Sequence, residues 1–86
     1  MTKKEASPAE TLRKLINKTK KRKDIALDPS STFKDLRIDS LEAVNIIVAL
    51  EDELGIEIDD HDLKRISDLG AFVRYLEIKV EKRDLR

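Results

Sequence analysis

Cysteine is absent from this 86-residue chain. That excludes a disulfide framework, a thiolate metal site and a cysteine nucleophile, and it points to a reducing compartment. Aromatic residues are almost absent too, at one Tyr and two Phe, so any core has to be aliphatic. Two glycines and two prolines are too few for a turn-rich all-β fold and suit a compact helical one. No apolar run approaches the length of a membrane span, and the start Met1-Thr2-Lys3-Lys4-Glu5 lacks the hydrophobic stretch of a secretory signal. A cytoplasmic protein without a membrane span is the expectation. A chain this short buries only a modest core, so we expect one domain over 1–86 with an ordered core at about 8–80 and frayed ends, and no deep cleft for multistep catalysis.

What is abundant is charge. Eighteen Lys/Arg balance eighteen Asp/Glu, but the signs are segregated: residues 1–37 hold eleven bases against five acids, residues 38–63 hold nine acids and no Lys or Arg, and residues 64–86 hold seven bases against four acids. An acidic stretch of this kind steers encounters toward basic partner surfaces, although a charge run is also the usual composition of a solvated face. The run Lys18-Thr19-Lys20-Lys21-Arg22-Lys23 lacks aromatics that could stack on bases. It reads as a soluble helix end complementing the macrodipole, with no nucleic acid partner.

Ser7-Pro8-Ala9-Glu10 has the form of a capping box with proline at the first helical position, and Leu12, Leu15 and Ile16 give one apolar stripe. This predicts a helix over roughly 8–22. Asp24 to Asp39 contains the turn cluster Asp28-Pro29-Ser30-Ser31-Thr32, yet Ile25, Leu27, Phe33, Leu36 and Ile38 are apolar. A long connection packed over the core is expected. A second helix is predicted at about 41–54 and ends at Gly55, a residue suited to a left-handed cap. Asp59 or Asp60 opens a short helix through Ile66. Ser67 or Asp68 opens a last one containing Leu69, Phe72, Val73, Leu76 and Val80, after which Glu81 to Arg86 shows no clear period. The fold class is all-α: a small four-helix bundle, three longer helices and one short, with a long loop between the first two.

Asp39-Ser40-Leu41 stands at the mouth of the second helix. A serine before an apolar helical run is by itself most often only an N-cap. A helix start also collects free N–H donors and positive dipole, which would favour a phosphate esterified to Ser40. His61 lies among acids with no serine-histidine-acid arrangement to argue for, and Asp59, Asp60 and Asp62 fit no defined calcium loop. No catalytic residue and no metal site are expected.

The segment from Phe33 through Asp39-Ser40-Leu41, the later Leu50-Glu51-Asp52-Glu53-Leu54 and Ile56-Glu57-Ile58-Asp59-Asp60, and the tyrosine-bearing Phe72-Val73-Arg74-Tyr75-Leu76 together resemble the acyl carrier proteins over about residues 8–78. The resemblance implies a non-catalytic carrier whose Ser40 receives 4′-phosphopantetheine from coenzyme A, flanked by Asp39 and Leu41. The thiol of that arm would hold acyl groups as thioesters. It implies a phosphopantetheinyl transferase, an acyl-loading ligase or acyltransferase, and a ketosynthase or other acyl-transfer enzymes as partners of a monomer, in fatty acid, lipid or polyketide-type biosynthesis. It further implies that Leu41 and the set Glu42, Val44, Val48, Glu51 and Asp52 face partners, while Ile46, Ile47, Leu50 and Leu54 turn inward. Two positions depart from the family pattern. Arg37-Ile38 stands where glycine is frequent, and Asn45 where an acid is common, which suggests a specialised carrier. An aminoacyl, peptidyl or D-alanyl carrier and an unmodified helical adaptor are the alternatives.

Overall fold

The computed structural model describes residues 7–85. Four helices follow in order: α1 Pro8–Lys20, α2 Ser40–Leu54, α3 Asp60–Leu63 and α4 Leu69–Asp84. There is no strand among the described residues. The protein is therefore a small helical bundle with three longer helices and one short, and its long loop joins α1 to α2.

The expected capping box opens α1. Ser7 Oγ accepts from the Glu10 amide at 3.2 Å, and Glu10 Oε1 accepts from the Ser7 amide at 3.2 Å. The bond from the Ser7 amide also holds the Glu10 carboxyl below its ordinary range. The helix stops at Lys20, two residues earlier than the sequence suggests, because Lys21 turns left-handed (φ 55°). The Lys21 amide then bonds Lys18 O at 3.2 Å and the Arg22 amide bonds Asn17 O at 2.8 Å, so a Schellman motif satisfies the last carbonyls.

Leu12, Ile16, Ile46, Leu50 and Leu76 are the fully buried centre, joined by Ile38, Leu54, Ile56, Ile58, Leu69 and Phe72. Each such side chain contributes roughly 1.5–3 kcal/mol of transfer free energy. Phe33 and Phe72, the only two phenylalanines, meet edge to face with centroids 5.9 Å apart.

The long loop lies over this core, with Ile38 buried and Ile25, Leu27, Phe33 and Leu36 half-buried. Buried Asn17 is its main pin, and nothing in the hydrophobic pattern announced it. The Asn17 side chain donates to Ile25 O at 3.1 Å and accepts from the Ile25 amide at 2.9 Å. Further on, the loop satisfies the start of α4: Leu69 N–H donates to Ser31 O at 2.8 Å and Gly70 N–H to Pro29 O at 2.9 Å. Gly70 is required by closeness, since a Cβ there would lie 3.0 Å from Pro29 Cβ and 3.1 Å from its carbonyl oxygen. Asp68, one of the two expected caps, accepts from Ala71 N–H at 2.9 Å.

Two further boundaries differ from the sequence reading. The short helix α3 ends at Leu63 and not at Ile66. Conversely, α4 continues through Asp84 where a frayed tail was expected. Its last turns are held because the Arg83 guanidinium donates to Leu54 O, capping the end of α2 from a neighbouring helix. The expected fraying of the first six residues and of Arg86 lies outside the described residues.

Candidate functional site

The first turn of α2 is assembled by the two acids flanking Ser40. Asp39 is the N-cap, its Oδ1 accepting from the Glu42 amide at 2.8 Å, and Glu42 Oε1 accepts in return from the Asp39 amide at 3.1 Å. The capping work that a serine at this place would ordinarily do therefore belongs to Asp39. Ser40 is the first helical residue, exposed, and its hydroxyl makes no hydrogen bond among the described residues. The amides of Ser40 and Leu41 likewise find no protein acceptor among those residues, consistent with the free donors of a helix start.

The approach to Ser40 is a single tight turn. The Arg37 amide bonds Lys34 O at 3.0 Å and the Ile38 amide bonds Phe33 O at 2.9 Å, which again is a Schellman arrangement, with Arg37 in the left-handed position (φ 60°). Buried Ile38 anchors the turn in the core. Lys20, at the end of α1, clasps it from outside: its ammonium donates to Arg37 O at 2.9 Å and stands 3.4 Å from Glu42 Oε1. The basic end of α1 and the acidic start of α2 thus meet beside Ser40. That contact lies seventeen and twenty-two residues apart in sequence, and composition gave only the charge segregation as a hint of it.

The remaining residues singled out by the sequence fall into distinct environments. Leu41 is 71 % exposed, Val44 54 % and Val48 56 %, while Ile46, Leu50 and Leu54 are buried. Ile47 is only half-buried, because it faces a cavity instead of the packed centre. Asp52 is exposed. Glu51 is half-buried, with Oε2 accepting from the Ile58 amide at 2.8 Å, so it braces the segment after α2. Glu42 is half-buried and tied to Lys20 and Asp39. His61 is exposed. Among the described residues no three His, Asp or Glu side chains gather into a metal-holding group.

An apolar cavity of about 200 Å³ opens beside α2, lined by Phe33, Ala43, Ile47, Leu63, Ile66 and Phe72 among others. One wall, Leu63 and Ile66, comes from α3 and the turn after it. This wall contributes no fully buried residue, and it is fastened by Tyr75, whose hydroxyl donates to Asp62 Oδ2 at 2.8 Å and accepts from the Asp59 amide at 3.4 Å. Burial, and then the hydrogen bond to Asp62, push the Tyr75 phenol above its usual range. Sequence reasoning counted Tyr75 as a family feature but missed this fastening.

No helix among the described residues is long and apolar enough to cross a membrane. The family profile described as "Phosphopantetheine attachment site" matches residues 10–76. Over 48 residues the chain is 44% identical to a mitochondrial acyl carrier protein of Dictyostelium discoideum, covering 56% of this chain and 40% of that protein. It is 41% identical over 54 residues to an acyl carrier protein of Helicobacter pylori, covering 62% of this chain and 69% of the relative. To an acyl carrier protein of Thermotoga maritima it is 44% identical over 53 residues, covering 62% of this chain and 65% of the relative. The chain therefore spans less than half of the first relative's length and about two thirds of the bacterial ones. With a profile match across most of its length and a helical bundle that presents a free serine at a helix start, the chain belongs to the phosphopantetheine attachment site family.

Proposed function

We propose that Ser40 is the attachment point of 4′-phosphopantetheine and that the protein is a non-catalytic carrier of acyl groups, held as thioesters on the thiol of that arm. The observation that supports this most directly is the division of labour at the start of α2. Asp39 caps the helix, so the exposed Ser40 hydroxyl has no structural duty among the described residues. The donor set fits the group, since a phosphodiester at the first helical position would lie beside the free amides of Ser40 and Leu41 and the positive end of the helix.

We assign Ser40 no resident general base: among the described residues the two acids nearest it are engaged in the capping box, and the only histidine lies after α2. Loading thus requires a separate phosphopantetheinyl transferase with its own magnesium ion. In that step Ser40 Oγ forms a bond to the pantetheine-side phosphorus of coenzyme A. The diphosphate linkage breaks, adenosine bisphosphate leaves, and the serine proton passes to a base on the transferase. The carrier supplies the hydroxyl and the docking face. Leu41, Val44 and Val48 form the apolar part of that face, and exposed Asp52 with the remaining acids of α2 its charged part. Its partners, on this reading, are the transferase, an acyl-loading ligase or acyltransferase, and ketosynthase-type or other acyl-transfer enzymes.

Acyl cargo is favoured over aminoacyl cargo by the cavity, whose lining of Ala43, Ile47, Leu63, Ile66 and the two phenylalanines suits a hydrocarbon segment, while its one carboxylate, Asp68, is engaged in capping α4. Incubation with coenzyme A and a broad-specificity transferase tests the reading. A mass gain of one phosphopantetheinyl group that is lost in Ser40→Ala is expected. No gain, or a gain that persists in Ser40→Ala, overturns it. Parallel loading by acyl and aminoacyl ligases separates the two cargo classes.

A further inference from the structure

We propose that Arg37, with Lys20 beside it, is a positioning residue for the arm on Ser40: the two cations balance the phosphodiester charge and hold it against the turn that leads into α2. This inference rests on the carrier reading above and deepens it.

The charges at this turn set the problem. Asp39 and Glu42 already place two carboxylates on either side of Ser40, and esterification adds a third negative charge at the position between them. Left alone, three like charges so close would push the arm outward. Lys20 is the cation that the fold fixes at this turn, and Arg37 stands in the turn itself, three residues before Ser40. Lys20 is fixed there, 2.9 Å from Arg37 O and 3.4 Å from a Glu42 oxygen that also receives the Asp39 amide. An ammonium has three N–H donors, and these contacts use two of them. The Arg37 guanidinium is exposed and has no ion pair or hydrogen bond among the described residues. A planar, forked donor is well matched to phosphate oxygens.

Arg37 also occupies the left-handed position of this turn. Its φ of 60° is a conformation at home for glycine and costly for other residues, yet the position carries the bulkiest cation available. Lys21 shows that this fold tolerates a left-handed cation as a plain helix end, so the backbone angle alone would not single out Arg37. What distinguishes Arg37 is its place three residues before the hydroxyl, with its carbonyl held by the same ammonium that holds Glu42.

The test compares Arg37→Gly, Arg37→Lys and Lys20→Gln with the parent protein. Glycine is chosen because it relaxes the left-handed position, so the unloaded variant should melt no lower than the parent. Each protein is first loaded and checked by mass, and phosphorus NMR then follows the phosphodiester at low salt and at about 0.5 M NaCl, where exposed charges are screened. In the parent the resonance should be broadened by restraint at low salt and sharpen with salt. In Arg37→Gly it should be sharp from the outset, with Arg37→Lys and Lys20→Gln between the two. The paired population should fall on the order of two- to five-fold in Arg37→Gly. A phosphorus linewidth and salt response identical in the parent and Arg37→Gly overturn this inference while leaving the carrier intact. Failure of the parent to gain mass overturns the carrier reading itself.

Discussion

Helix α2 carries apolar residues on two opposite sides, and only one side is core. Ile46, Leu50 and Leu54 recur every four residues and are at most 7 % exposed, whereas Val44 and Val48 keep the same spacing two residues out of step and are more than half exposed. At about 100° per residue, that offset of two turns the second stripe to the far side of the helix. A third line, Ala43 and Ile47, faces the cavity. The difference teaches that hydropathy alone assigns no role on this helix. The phase of each residue relative to the buried stripe does, and the outward stripe, left in water, is the apolar part of the docking face proposed above.

The inward side is the one on which folding depends, and Leu50→Ala is the sharpest way to break the comparison. Leu50 is fully buried at the centre of the bundle, and truncation leaves both lost transfer energy and a cavity, for an expected destabilisation of about 2–5 kcal/mol. Urea unfolding measures it directly. A cost below that of an exposed valine would show that the two sides had been wrongly distinguished.

Much of this division is legible in the sequence because it depends on local chemistry. Ser7 with Glu10 reads as a capping box from spacing alone, Gly55 as a helix end, and Leu12, Leu15 and Ile16 as one stripe. Features that depend on contacts distant in sequence do not read so easily. The reach of Arg83 to Leu54 O prolongs α4, Asn17 fixes the loop at Ile25, and Tyr75 ties down α3, and no periodicity announces any of them. The site shows the same split. Ser40 stands out by its motif, but whether Asp39 or Ser40 caps the helix is a matter of backbone geometry. Glu51 illustrates the cost of reading charge without contacts, since an acid taken for a docking residue is also a brace for Ile58.

The cap supplies the next largest effect and sharpens the contrast between neighbours at the start of α2. Asp39→Ala removes the acceptor for the Glu42 amide and should cost about 1 kcal/mol. Ser40→Ala removes no hydrogen bond found among the described residues, and should shift stability by no more than about 0.5 kcal/mol. Thermal melts of the two variants side by side decide the matter. Equal losses would mean that Ser40 shares the capping work.

On the wall of the cavity, Tyr75→Phe deletes the bonds to Asp62 and Asp59 while keeping the ring, for an expected loss of about 1 kcal/mol. The pH dependence follows from the raised phenol. A group whose folded pKa lies above its unfolded value of about 10 adds stability that is fully present below that value and fades as pH rises through the folded pKa. The parent should therefore lose more stability than Tyr75→Phe between pH 9 and pH 11 (roughly the window set by an ordinary tyrosine). Parallel alkaline denaturation curves for the two proteins would contradict the fastening of α3 through this hydroxyl.

The outward stripe should respond least of all in stability and most in encounter. Val44→Ala and Val48→Ala remove side chains that are mostly in water already, so each should change unfolding free energy by no more than about 0.5 kcal/mol. Alanine also has the better helix propensity, which offsets part of any lost contact. The same two changes made together should raise the KM for the carrier in transferase loading, because they shave the apolar centre of the proposed docking face and leave its acids in place. Unchanged loading kinetics with unchanged stability would leave the stripe without a function and undo the contrast between the two sides of α2. A large loss of stability would undo it from the other direction, by showing that the outward valines belong to the core.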